Sequence, residues 1–192
     1  MTRVSDRFVV VLDANVLYGQ WKRDIMLRFG AAGLFRPRWS QQILGELERA
    51  LLRNNPGKHE SISRTIKRMC DAFPEADVAG HECLIESFVL PDENDRHVLA
   101  AAVLSGAEHI ITDNLKYFPT RVLKPLGIEA VRADDFLTAT FELYEAQSVA
   151  ELRKMRAAYK RNPLTASEFI FSMQKRGLPK LASLAKLHID VL

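Results

Sequence analysis

Phe8 to Tyr18 reads FVVVLDANVLY. A run of apolar residues, three of them consecutive valines, leads into Asp13; Asn15 follows, and apolar residues resume beyond it. A short, continuously apolar, β-branched run is the pattern of a strand covered on both faces, as in a parallel sheet. In open parallel sheets, ligand sites lie beyond the carboxyl ends of the strands. Asp13 therefore falls where a functional side chain is expected, and the question is what neutralises it.

Outward from this strand, elements alternate. Residues 24–33, DIMLRFGAAG, read as a short helix closed by glycine. In residues 37–54, PRWSQQILGELERALLRN, Ser40 is the expected N-cap after Pro37, Trp39 and Leu44 have hydrophobic-staple spacing, and Ile43, Leu44, Leu47 and Leu51 form the apolar stripe. Residues 58–73 read as a helix through Ile62, Ile66 and Met69. PDENDRHVLAAAVLSGAE, 91–108, reads as a helix with an acidic start and a Ser105-Gly106 stop. HIIT (109–112) and IEAV (128–131) read as strands on either side of a short helix at 119–127. Residues 134–147 read as an amphipathic helix through Phe136, Leu137, Phe141 and Leu143. Strands separated by helices predict an α/β fold with a mainly parallel central sheet. After Gln147 the pattern is helical only, interrupted at Asn162-Pro163 and at Gly177-Leu178-Pro179. The chain is thus read as a main domain, 1–147, and a small helical extension, 148–192.

The formal charge of +3 hides an asymmetry. Residues 148–192 hold nine Lys/Arg and three Asp/Glu, leaving 18 basic and 21 acidic residues in the remainder. An acidic body with a basic extension suggests a polyanion or an acidic partner, although a basic helical face is as often merely solvated. The two cysteines, Cys70 and Cys83, form no metal-binding pattern and suit a reduced, cytoplasmic setting. No apolar run reaches the roughly 20 residues of a membrane helix, and MTRVSDRF leads directly into the first strand without the look of a signal peptide.

The acids at element ends carry the chemistry. Asp13 and Asp113 follow strands, Asp95 lies in the first turn of its helix, and Glu46 sits at the border of the buried stripe of the Ser40 helix. Each has a plain alternative: a turn, an N-cap, or a surface partner for Arg49 or Arg53. Together they are expected to converge on one mouth, and converging carboxylates, which repel and are costly to desolvate, are tolerated when a cation neutralises them. Oxygen-only donors without a Cys/His set favour Mg²⁺ or Mn²⁺ over zinc. Such ions serve phosphodiester hydrolysis.

The segments VVLDANVLY, SQQILGELERAL, PDENDRHVLAAAVLSGAEHIITDNLKYFP and LGIEAVRADDFL, in this order and spacing, resemble the PIN-domain family, in particular the VapC-type ribonuclease toxins of bacterial toxin–antitoxin pairs. The end of the chain, YKRNPLTASEFIFSMQKRGLPKLASLA, is similar to the helical extension of one branch of these proteins. The resemblance implies a three-layer α/β/α sandwich and metal-dependent cleavage of single-stranded RNA. It matches Asp13, Glu46 and Asp95 to the first three family acids, Asn15 to the residue orienting the first, and Thr112 to the hydroxyl residue before the fourth. At that fourth place the chain has Asn114, with Asp113 beside it, so either is expected to face the metal. The implied nucleophile is water, giving 5′-phosphate and 3′-hydroxyl ends. The implied partners are the RNA, a cognate antitoxin and a second copy of the chain.

Arg96, Lys116 and Arg121 are the expected phosphate contacts. Tyr18 and Trp21 are candidates for base stacking, but such residues more often belong to a core or an interface. His97 is expected to pack or hydrogen-bond near Asp95. The main alternative is a PIN fold without catalysis, binding RNA or protein. A haloacid-dehalogenase-type phosphatase is disfavoured because it needs a second aspartate where this chain has Asn15.

Overall fold

The valine run forms β1, Val9–Leu12, and Val10, Val11 and Leu12 are fully buried. The structure is a computed structural model that describes residues 8–192; residues 1–7, which bear on the expected absence of a leader, lie outside the described residues. Beyond Asp13 the chain turns at once into α1, Ala14–Tyr18, with the Asp13 carbonyl accepting from Val16 N and Leu17 N. Val16 and Leu17 are fully buried. The apolar residues after the carboxylate are therefore the core face of a helix, not a continued strand.

β1 pairs in parallel with β2, Arg36–Arg38, on one side and with β3, His109–Ile111, on the other; β3 pairs in parallel with β4, Glu129–Val131. The order is β2-β1-β3-β4. The chain steps from β1 to one neighbour and then crosses to the other, so the winding reverses between β1 and β3. In such sheets a crevice opens at that reversal, at the carboxyl ends. Asp13 and Thr112 follow the two strands that flank it.

β2 has no apolar alternation and contains Pro37, which the sequence reading placed just ahead of a helix. The sheet edge tolerates a proline because no neighbour needs its missing N–H. Arg36 N donates to Phe8 O at 2.9 Å and holds the strand in register.

The helix that follows is α3, Gln41–Asn54, with α2 lying earlier in the chain at Gln20–Ala31. Ser40 caps α3 by accepting from Ile43 N at 3.2 Å, and Ile43, Leu44 and Leu47 are buried. α4, His59–Ala72, packs on α3. A 3₁₀ turn at Glu93–Asp95 leads into α5, Arg96–Ser105, which packs on β1 and β3 with Val98 to Ala102 fully buried. Gly106, at φ 64°, takes the left-handed conformation that ends it. The short helix between β3 and β4 is α6, Thr120–Leu123.

The chain forms two compact units, Met1–Tyr18 with Phe35–Arg132, and Gly19–Leu34 with Ala133–Leu192. The first holds the sheet. The second is helical: α2 joins α7, Ala133–Leu143, α8, Glu145–Ala157, α9, Ala166–Lys175, and α10, Pro179–Lys186. The single helix expected over 134–147 is two helices, because Tyr144 leaves helical geometry at φ −132° and ψ 50°. Trp21 is buried here, stacked with Tyr159 at 5.5 Å and touching Phe169 at 5.2 Å, with the Arg176 guanidinium 4.7 Å above its ring. It is a core residue of this unit. Asp134 caps α10 by accepting from Lys180 N and Leu181 N at 2.9 and 3.0 Å.

Several of the basic residues of the extension are used internally. Lys154 pairs with Glu151, Lys180 pairs with Asp135, and Arg156 donates to Leu192 O and Leu164 O. No helix among the described residues is long and apolar enough to cross a membrane.

Candidate active site

An open cleft of about 670 Å³ lies in the sheet-bearing unit, at the carboxyl end of β1. Asp13, Glu46 and Asp95 all line it, brought from the end of β1, the middle of α3 and the start of α5. Asn15 and Asn114 line it as well.

Asp13 is 5% exposed and held from behind. Its Oδ2 accepts from Thr112 Oγ1 at 2.7 Å and from Asn15 Nδ2 in a short hydrogen bond. Asn15 Nδ2 also reaches Thr112 Oγ1 at 2.9 Å, and Asn15 Oδ1 accepts from Asp113 N at 3.0 Å. Asn114 N donates to Thr112 Oγ1 at 3.1 Å. One hydroxyl and one amide thus lock the β1 and β3 ends together. Burial raises the Asp13 pKa, the Thr112 hydrogen bond opposes the rise, and the Glu46 charge adds to it.

Thr112→Val tests the lock. It removes a donor to a buried carboxylate and the acceptor for Asn114 N, and should cost about 1–3 kcal/mol in denaturant titration. A change within a few tenths of a kcal/mol of wild type would mean the hydroxyl does not support Asp13.

Asp95 ends the 3₁₀ turn before α5, and its Oδ2 is buried without a hydrogen-bond partner among the described residues. Its pKa is raised to about 6, chiefly by burial and then by the charges of Asp13, Asp92 and Glu46, with His97 acting in the opposite direction. Glu46 is held by His97, which is 1% exposed and whose Nε2 lies 2.9 Å from Glu46 Oε1. The sequence had suggested that His97 packs or hydrogen-bonds near Asp95; it does act on Asp95, and its hydrogen bond goes to Glu46. A residue 51 positions away is not legible as a partner from spacing.

At the fourth position Asn114 lines the cleft and Asp113 does not. Asp113 is half-buried, with its backbone N–H bonded to Asn15. The expected phosphate contacts also lie elsewhere. Arg96 pairs with Glu93 at 2.6 Å and Glu86 at 3.7 Å, Lys116 lies over the Tyr117 ring at 4.6 Å, and Arg121 is exposed on α6; none of them lines the cleft. Its basic side chains are instead Arg49 and Arg53 of α3. Their spacing of three and seven residues from Glu46 was the available signal, since it places all three on one helix face. Tyr18, 38% exposed, lines the cleft too.

Among the described residues no three Asp, Glu, His or Cys side chains gather closely enough to form a ready-made ligand set. The three acids nonetheless suit a hydrated hard cation. They are oxygen donors, the Glu46 charge adds to the raised pKa of Asp13 and of Asp95, and Asp95 Oδ2 is an orphaned buried acceptor. Mg²⁺ typically keeps several waters and takes only one or two carboxylates directly.

Comparison with known proteins agrees with this layout. Residues 9–116 match a model described as PIN domain, and residues 133–186 match one described as VapC50 C-terminal domain. The second match begins where the second segment of the helical unit begins. Over 92 residues the chain is 42% identical to "Putative ribonuclease VapC50" of Mycobacterium tuberculosis (strain ATCC 25618 / H37Rv). That match covers 48% of this chain and 54% of the relative, so it spans about half the length of each. No solved structure matches. With a PIN-domain match over more than half its length, the chain belongs to the PIN-domain family, and it carries the C-terminal extension of the VapC50 type.

Proposed function

We propose that the chain is a Mg²⁺- or Mn²⁺-dependent endoribonuclease that hydrolyses single-stranded RNA, and the toxin of a type II toxin–antitoxin pair. The observation that carries this reading is that three carboxylates from three separate elements face one cleft, one of them with an unpartnered buried oxygen. The word ribonuclease in the relative's description supports it. In this reading catalysis belongs to residues 1–147, and 148–192 is the basic extension. A cognate antitoxin, a homodimer and a cytoplasmic setting go with it.

Asp13, Asp95 and Glu46 would hold the ion, with Asn114 as the fourth cleft group in preference to Asp113. A bound divalent ion supplies charge neutralisation, a lowered pKa for water and stabilisation of charge on the phosphoryl oxygen. Thr112 and Asn15 fix the Asp13 carboxylate, so it need not reorganise when substrate arrives. His97 fixes Glu46 at the cleft wall, where it would help hold the ion or orient the attacking water. Because water attacks, the RNA 2′-hydroxyl takes no part.

Sequencing the ends of the cleaved RNA tests this route. It predicts 5′-phosphate and 3′-hydroxyl ends, whereas 2′,3′-cyclic phosphates would contradict it. A PIN fold that binds without cutting is the second reading, favoured by the lack of a ready-made ligand set among the described residues. It predicts RNA binding with no new ends under any divalent ion.

A further inference from the structure

We infer that Arg49 and Arg53 form a phosphate-binding ridge on the α3 wall of the cleft, which holds the RNA strand on the side facing away from Asp13. The inference rests on the ribonuclease reading and specifies how its substrate is held. Both arginines line the cleft and both are exposed. They stand one helical turn apart, ~6 Å along the axis, a spacing on the scale of neighbouring phosphates in a single strand.

Their lack of partners is the informative feature. Glu46 precedes Arg49 by three residues, and a helix normally pairs such charges. Here the Glu46 carboxylate is taken by His97 at 2.9 Å, and Glu48 accepts from Ser63 at 3.2 Å. Neither arginine has an ion pair among the described residues. Two like charges four apart on one helix face repel, so the arrangement suits an external anion. Arg49 Nη1 lies 3.3 Å from where a Cβ on Gly45 would stand, so its guanidinium folds back along the helix toward the Glu46 turn. The cleft therefore carries both signs, with acids at the end of β1, the middle of α3 and the start of α5, and cations on the turns of α3 that follow Glu46. A polyanion entering it is repelled by the acids and held by the arginines, and guanidinium groups suit phosphate because they offer two parallel donors.

The test is RNA binding by Asp13→Asn protein, which separates binding from cutting. The probe is a fluorescein-labelled, mixed-sequence single-stranded RNA, titrated at several salt concentrations. Adding Arg49→Ala and Arg53→Ala should weaken binding at least ~10-fold and reduce the slope of log affinity against log salt by ~1.4, the value for two lost single-strand contacts. The Arg49→Lys/Arg53→Lys pair should keep the slope. Both sites are exposed, so the thermal midpoint should hold, and that is checked in parallel. If the Asp13→Asn parent binds RNA and the alanine pair leaves affinity and slope unchanged, the ridge is refuted while the ribonuclease reading stands, and the arginines then belong to a protein partner. If the parent binds no RNA, both fall.

Discussion

Asp13→Asn should lower RNA cleavage by ~10²–10³-fold while leaving the protein folded. The size follows from the several kcal/mol that a bound metal contributes to a transition state, converted at ~1.4 kcal/mol per tenfold. The fold should persist because the asparagine oxygen can still accept from Thr112 and Asn15, the two donors now on Asp13 Oδ2. Removing the charge also relieves a buried carboxylate whose pKa is raised by desolvation and by Glu46. Cleavage rates and thermal midpoints, measured on the same preparations, check both halves. An asparagine variant that cuts as fast as wild type would remove Asp13 from the centre of the site.

Asp95→Asn should stabilise the metal-free protein and disable it at once. The Asp95 pKa is about 6 in the folded state against 3.8 ordinarily, so folding holds a proton that the unfolded chain has lost. Below pH ~4 both states are protonated and the site costs nothing. As pH rises through the window from 3.8 to about 6 the penalty grows, and above it the penalty is complete. About two pKa units correspond to ~3 kcal/mol, reduced to ~1–2 kcal/mol for a half-buried group open to solvent screening. The variant should therefore melt several degrees higher at pH 7.5 and at the wild-type temperature near pH 3.8. Divalent ions should stabilise wild type and have little effect on the variant. Identical melting at both pH values would mean that Asp95 is not strained by its neighbours.

Much of this was legible in the sequence, for identifiable reasons. The valine run, the Ser40 cap and the Gly106 stop are local signals, each set by one or two residues, and the structure shows all three. An acid at an element end, as with Asp13 and Asp95, or beside a buried helix stripe, as with Glu46, is also a local feature, which is why all three could be named before the cleft they line was seen. Long-range pairings were not legible. β2 is a strand only because β1 offers it an edge, and its own residues, Arg36, Pro37 and Arg38, point to a turn. The Glu46–His97 bond joins helices whose packing no periodicity encodes. A surface pairing of Glu46 with Arg49 or Arg53, the ordinary outcome on an isolated helix, was the plain alternative, and in the structure the Glu46 carboxylate meets His97 of α5. The grouping of α2 with the C-terminal helices depends in the same way on Trp21 meeting Tyr159 and Phe169, more than 130 residues later.

The most direct measurement is cleavage of single-stranded RNA by the purified chain in Mg²⁺, in Mn²⁺ and in EDTA, with Asp13→Asn run beside it. The account predicts cutting by wild type in the metal arms, none in EDTA, and cutting by the variant lowered ~10²–10³-fold. Equal cutting by wild type and variant, or cutting undiminished in EDTA, would contradict it.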